Sequence, residues 1–457
     1  MKKTFVLIAL ALVGATSAMA GGLTTNTNYH IAFDRMMARG ATFEIDGAFS
    51  NPAGLVWGHE GLQLSFNWQS PHQNRDVKTT FPLFTEENNT RKFHGKATAP
   101  FVPGLFVAYR HDRLALSFML GIVGSGGYVK YADGLPMFTA PVTALLNQSL
   151  LAQSPQLALA GYNMLNASSL YNIDSELKGK QYVYGAQVSA AYRVAECWSV
   201  AAAFRANYYD GYYRGHVLAT LKSVNVDLVD MQLDCNQTGW GYTPQLSVNF
   251  HKDKLTVTAR YEFKTKIETE NETNKLSVGP ESVAMALSQS SASSMLVAYQ
   301  DGAKTRNDLP ALFSAAVGYE FLPSLRAMVE FHVFDDKNAK MPNNRQEKLK
   351  RGTIEYLAGV EWNINKMFLV SAGGQRTDYG LSDEYQSNTS FACDSYSVGF
   401  GGAVNLNEHL RFNISYFWTM YDDYKTTTNN YMGTGLTGTD VYSRTNKVFG
   451  LGIDYRF

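Results

Sequence analysis

Six pairs of segments in this chain alternate apolar and polar residues with a period of two, and a few polar residues separate the members of each pair. They are residues 101–109 with 114–122, 182–192 with 198–208, 245–250 with 255–263, 312–321 with 325–334, 354–362 with 367–375, and 396–404 with 410–418. A period of two is that of a β-strand whose faces meet different surroundings. The connections outside the pairs are long: 70–100, 130–179, 210–239, 267–308, 336–352, 377–394 and 421–444. An opening strand at 62–68 and a closing strand at the C-terminus bring the number to about fourteen. Strict alternation of short and long connections with an even strand number predicts an all-β fold, a transmembrane antiparallel β-barrel with short turns at one rim and long loops at the other. A β-sandwich would supply strands but gives its loops no reason to alternate in length.

The closing segment KVFGLGIDYRF shows what the faces meet. Phe449, Leu451, Ile453, Tyr455 and Phe457 alternate with Val448, Gly450, Gly452, Asp454 and Arg456. The aromatic C-terminus thus ends an apolar face, as expected if that face points at lipid. In 255–263, Leu255, Val257, Ala259, Tyr261 and Phe263 oppose Thr256, Thr258, Arg260 and Glu262, and in 410–418 Arg411, Asn413 and Ser415 form the polar row. These rows predict a partly charged lumen, and Tyr and Trp at strand ends suit interfacial girdles.

At the other end, Lys2 and Lys3 precede the apolar run 5–13, and Ala18-Met19-Ala20 offers small residues for cleavage. This reads as a signal peptide over 1–20, with the mature chain starting near Gly21. No later stretch gives about twenty consecutive apolar residues. The expectation is export to the bacterial outer membrane without a membrane helix.

Thirty-eight glycines and 13% aromatic residues coexist with a slightly negative mean hydropathy of −0.20, as when half the positions of many strands face water. Forty basic and forty acidic residues cancel, so nothing points to nucleic acid. The sequence carries no G-x-S-x-G, H-E-x-x-H or C-x-x-C motif, and the reading is of a non-enzyme without cofactor or metal. An outer-membrane hydrolase needs few convergent residues and stays open as a lesser alternative. A general polar-solute porin is the stronger rival, separated by its open, conducting lumen.

Residues 21–60 precede the barrel and contain FEIDGAFSNPAGL, with Asn51, Pro52, Ala53 and Gly54 at its end. With TGWGYTPQLSVNF, LTVTARYEFKTKI, DLPALFSAAVGYEF and the terminal GLGIDYRF, this order resembles the long-chain fatty acid outer-membrane transporters, including related transporters of aromatic hydrocarbons. The resemblance implies a fourteen-stranded barrel over 61–457 plugged by an N-terminal hatch at 21–60. It also implies passive uptake of a hydrophobic molecule such as a fatty acid, detergent or lipid, and sideways release into the membrane through a kink in the third strand. Gly124, Ser125, Gly126 and Gly127 interrupt the alternation of that strand, where glycine permits a bulge. Asn51 is expected to bond exposed wall backbone at the gap while Pro52 fixes the chain direction.

The long connections near 137–170 and 280–300 carry helical patterns, with Leu145, Leu146 and Leu150 on one apolar face and Leu287 and Leu296 on another. The resemblance implies a hydrophobic docking groove between them; packing of the two loops on each other is the alternative. Arg205, Arg260 and Arg411 face inward and are candidate contacts for a ligand carboxylate, or members of a charge ladder with Glu262, Glu330 or Asp454. Cys235 and Cys393 fall in outer connections and could bond there, leaving Cys197 at the opposite rim. A monomer in outer-membrane lipid is expected.

Overall fold

The computed structural model describes residues 29–281, 283–284 and 297–457. Its wall is a closed antiparallel sheet of fourteen strands. They are β1 Gly61–Thr80, β2 in two parts Thr90–Thr98 and Val102–His111, β3 Leu114–Tyr131, β4 Tyr171–Arg193, β5 Trp198–Leu221, β6 Val226–Lys252 and β7 in parts Leu255–Glu262 and Glu268–Gly279. Then follow β8 in parts Lys304–Arg306 and Leu312–Leu322, β9 Leu325–Phe334, β10 Ile354–Asn363, β11 Phe368–Asp378, β12 Ser395–Asn405, β13 in parts Leu410–Tyr421 and Tyr424–Thr428, and β14 Gly438–Arg456. β14 returns to β1 in an unbroken register from Gln63↔Arg456 to Thr80↔Thr439. Closure removes the sheet edges that lipid could not satisfy.

The terminal alternation falls as its residues dictate. Phe449, Leu451, Ile453, Tyr455 and Phe457 are exposed on the outside, while Gly450, Gly452 and Asp454 are buried inside. The same division holds for Val257 and Tyr261 against Thr258, Arg260 and Glu262. Repeated round the wall, this makes an apolar outer belt over a polar interior, the form of a transmembrane barrel. Among the described residues no helix is long and apolar enough to cross a membrane.

Several long connections are largely strand. β5 and β6 run on past the belt and meet at a turn over residues 222–225, so 210–239 is a tall hairpin rather than a loop. Alternation fades there because both faces become polar once the strand leaves lipid: outward Lys178, Arg214 and Asp234 replace Val188, Phe204 and Leu246.

The chain before β1 lies inside. It forms α1 Ile31–Arg35, α2 Gly47–Ser50 and a 3-10 turn Pro52–Trp57. Its polar contacts reach round the lumen: Ile31 N donates to Asn67 Oδ1 on β1 at 3.2 Å, Gly40 N to Glu330 Oε2 on β9 at 2.8 Å, and Gln187 Nε2 on β4 to Ala48 O at 2.8 Å. The signal-peptide reading falls on residues outside those described, as do residues 21–28 of the hatch reading.

Candidate functional site at the lumenal cavity and the β2–β3 opening

β3 carries two extra residues relative to β4. Its register shifts between Ile122 and Gly124 and again between Ser125 and Gly127, so Val123 and Gly126 have no opposite number on β4. On its other side β3 pairs with lower β2 only as far as Gly104↔Gly121, and pairing with upper β2 resumes at Ala97↔Val129. Residues 122–128 have no ladder partner on β2 among the described residues. β2 stays with β1 through this stretch, where Ala99 N donates to Pro71 O at 3.2 Å and Gln69 faces Val102. The wall therefore parts between β2 and β3, at the level of the Gly124-Ser125-Gly126-Gly127 sequence. Gly127 has φ +74°, a left-handed conformation that suits glycine.

At the first bulge Val123 turns its side chain into the barrel, over Gly185 of β4, where an added methyl group would strike it. Its carbonyl accepts a hydrogen bond from the Tyr29 hydroxyl of the inner segment. Tyr29 in turn packs edge-on against Phe49, with ring centroids 5.0 Å apart.

Behind this contact lies a small cavity between the inner segment and the wall. Tyr29, Phe33, Phe49, Val123, Leu309 and Phe334 supply apolar lining. Arg205, Arg260, Glu262, Glu330, His332 and Glu355 supply the polar side. The charges are matched within the protein. Arg205 reaches Glu262 at 2.6 Å and Arg260 reaches the same carboxylate at 3.0 Å; both guanidinium groups also lie over the Phe49 ring. His332 stands between Glu330 and Glu355, at 2.7 and 2.8 Å. Among the described residues no group of histidine, cysteine and carboxylate side chains is placed to hold a metal ion.

Arg411 is not at this cavity. It meets Glu44 of the inner segment at 3.0 Å, within a buried network in which Arg39 holds Asp46 at 2.7 Å and Glu44 at 2.8 Å, and Arg35 and Arg326 both hold Glu361. Burial works to raise the Asp46 carboxyl, and the charge and hydrogen bonds of Arg39 overcome it, leaving the group below its usual range.

Asn51 departs from expectation. It caps the 3-10 turn, accepting from Gly54 N at 3.1 Å, and its amide donates to Thr42 O at 2.9 Å and to Asn249 Oδ1 of β6 at 3.2 Å. Its bonds thus tie the inner segment together and to a wall side chain, while Tyr29 reaches the opening. Pro52 begins the turn, where the lost N–H costs nothing, and Ala53 N donates to Ser247 Oγ at 3.3 Å.

A search for similar structures returns barrels of this form. A Pseudomonas aeruginosa FadL homologue superimposes with a TM-score of 0.65 at 14% identity, over 96% of this chain and 100% of that one. The P. putida toluene transporter TodX gives 0.54 at 12%, over 91% and 95%, and the Ralstonia pickettii toluene transporter TbuX gives 0.51 at 12%, over 91% and 94%. This chain shares their fold. No protein-family model and no curated protein matches its sequence.

Helix α3, Pro136–Gln153, leans on the tall strands. Leu145 and Leu146 are buried and Leu150 half-buried, with Leu146 and Leu150 among Val142, Tyr171, Val217 and Val229. Leu287 and Leu296 lie outside the described residues. The cysteine pairing is not formed: Cys197, Cys235 and Cys393 are all free. Cys235 stands on β6 opposite Tyr213, whereas Cys393 precedes β12 and lies 3.7 Å from Tyr442 O, so the two belong to different sectors of the rim.

The wall glycines were the sequence signal left unread. Inward positions 359, 373 and 399 are glycine where the inner segment presses closest. A methyl group on Gly399 would overlap the carbonyl oxygen of Asp34, and one on Gly359 that of Met37. Glycine at every second position of a strand, on the polar face, marks a close backbone approach.

Proposed function

We propose that this protein is an outer-membrane channel of the long-chain fatty acid and aromatic hydrocarbon transporter family, a monomer that takes up hydrophobic molecules passively and releases them sideways into the membrane. The observation that carries the reading is the continuity of the lumenal cavity with the parted wall: Val123, one of the two extra residues of β3, lines the cavity and belongs to the stretch that has lost its β2 partner. An apolar solute leaving there enters lipid without crossing water, which is the lower-energy route for it. The inner segment, acting as a hatch fixed by Tyr29, Asn51 and the arginine network, closes the straight path. The similar structures, a FadL homologue and two toluene transporters, support a hydrophobic cargo. A matched, filled lumen argues against a polar-solute porin, and no motif argues for an enzyme.

The test removes the irregularity. Deleting Val123 and Gly126 together leaves Ile122↔Tyr184, Gly124↔Val183, Ser125↔Tyr182 and Gly127↔Gln181 as one continuous ladder. The double deletion should fold as a heat-modifiable barrel and lose uptake of labelled oleate or toluene in whole cells. Normal folding with undiminished uptake of both would place the exit elsewhere.

A further inference from the structure

Four outward cations stand side by side across the upper wall. Lys96 of β2 lies opposite Lys130 of β3, Lys130 opposite Lys178 of β4, and Lys178 opposite Arg214 of β5. Like charges directly opposed on neighbouring strands repel, and here the opposition repeats along one row. A fifth cation, Lys180, sits one level below on the same face, between Tyr128 and Tyr212.

The protein supplies too few acids to balance them. Lys130 at 2.6 Å and Lys178 at 2.5 Å share Glu176, while Asp210 takes Lys180 at 2.7 Å and Asp234 takes Arg214 at 3.0 Å. Lys96 is exposed and makes no hydrogen bond or ion pair with any described residue. Asp76, on the strand beside it, is already held by Lys92 and His94. An ammonium has three donors, so the lysines that do meet an acid keep donors to spare.

The height of the row follows from its neighbours. Tyr184, Tyr208 and Trp240 are opposed across β4, β5 and β6 lower on the same face, an aromatic girdle of the kind that marks a membrane interface. The cations lie beyond it, toward the rim of the long connections, where an outward side chain meets lipid headgroups. The row also stands directly over the parted wall: Lys96↔Lys130 and Ala97↔Val129 are where β2 and β3 rejoin above residues 122–128.

We propose that this row seats a doubly phosphorylated glycolipid of the outer leaflet, whose phosphates neutralise the surplus charge and whose acyl chains hang over the β2–β3 opening. Neighbouring strands are about 4.8 Å apart, so the row from Lys96 to Arg214 is about 14 Å wide. That is more than one phosphate can span, and it suits two phosphates carried at the ends of a sugar unit. The bound lipid forms the outer surface of the opening. The seat rests on the barrel standing in the outer membrane and holds whatever the cargo is.

The test measures binding of diphosphoryl lipid A, monophosphoryl lipid A and phosphatidylglycerol to the full chain in an uncharged detergent. The native protein is compared with the double variant Lys96→Gln, Lys130→Gln and with Lys252→Gln, an exposed lysine at the opposite rim. Native protein should prefer diphosphoryl lipid A, and its affinity should fall about tenfold or more in the double variant and weaken with added salt, while Lys252→Gln leaves it unchanged. Bound lipid A should slow hydrogen exchange of amides 122–128 in the native protein and not in the double variant. Since the double variant removes opposed like charges, it should melt at or above the native temperature, which separates a lost seat from misfolding. Equal lipid A affinity in native and double variant overturns the seat, as does phosphatidylglycerol binding as tightly as lipid A. Exchange at 122–128 that ignores bound lipid A overturns the placement over the opening. Uptake of oleate or toluene, measured alongside, reports separately on the channel reading: a native chain that binds lipid A and takes up neither overturns that reading and leaves the seat.

Discussion

The hydroxyl of Tyr29 donates its hydrogen bond to the carbonyl of Val123, tying the inner segment to the first of the two extra residues that the third strand carries beside the parted wall. A bulge leaves its extra residue outside the ladder, so this carbonyl needs a donor from elsewhere. The inner segment is thereby a structural part of the opening.

Tyr29→Phe removes that donor and nothing else of the side chain's bulk. A buried acceptor left unmade costs about 1–3 kcal/mol. Hydrogen exchange of amides 121–128 should speed up by about tenfold or more, with the amides of β5 unchanged. Unaltered exchange across 121–128 would mean that the bulge is held by the wall alone.

The close approach at Gly399 gives a second expectation. A side chain there meets the Asp34 carbonyl oxygen, which cannot yield without moving α1. Gly399→Val should unseat the inner segment while the barrel still forms, because the ladder bonds of β12 are backbone bonds. The readouts are new tryptic cleavage at Arg35 or Arg39, both buried in the native chain, and a rise in single-channel conductance.

The wall was legible because lipid on one side and polar lumen on the other impose a strict period of two. Phe449 to Phe457 and the row Thr256, Thr258, Arg260, Glu262 needed no tertiary information. The tall hairpin of β5 and β6 was hidden because water on its outside erases the contrast between faces. The Gly124 to Gly127 interruption located the irregular stretch, but its consequence depends on which β2 residues stop pairing, and that is set by the break between Thr98 and Val102. Tyr29 could not be found from sequence, since a lone tyrosine before a barrel carries no mark of the carbonyl it will reach. Arg205, Arg260 and Arg411 lie on the inner face that their alternation gives them, and they pair with the protein's own Glu262 and Glu44.

Acid should loosen the inner segment. Asp46 is buried and Glu44 half-buried; burial acts to raise them, and Arg326, Arg411 and Arg39 for Glu44, Arg39 for Asp46, hold them below their ordinary range. A carboxyl depressed in the folded state stabilises above its unfolded pKa, and that contribution fades as pH falls through the folded value. Tryptic accessibility of Arg39 should be low and constant at pH 5 to 8 when probed after a pH step, and should increase for protein stepped below about pH 4. Asp46→Asn should show that accessibility already at neutral pH.

The cavity arginines share an acid of the protein's own. Glu262 lies between Arg205 at 2.6 Å and Arg260 at 3.0 Å, and Arg260 also donates to the carbonyl of Phe49 in the inner segment. Removing one member of a buried charged set costs more than the set contributes, about 3–5 kcal/mol, because the remaining charges stay buried. Glu262→Gln leaves two adjacent guanidinium groups facing the cavity and should lower the urea midpoint markedly. Arg205→Gln added to it removes one of those charges and should recover part of the loss, a non-additivity that a double-mutant cycle measures directly.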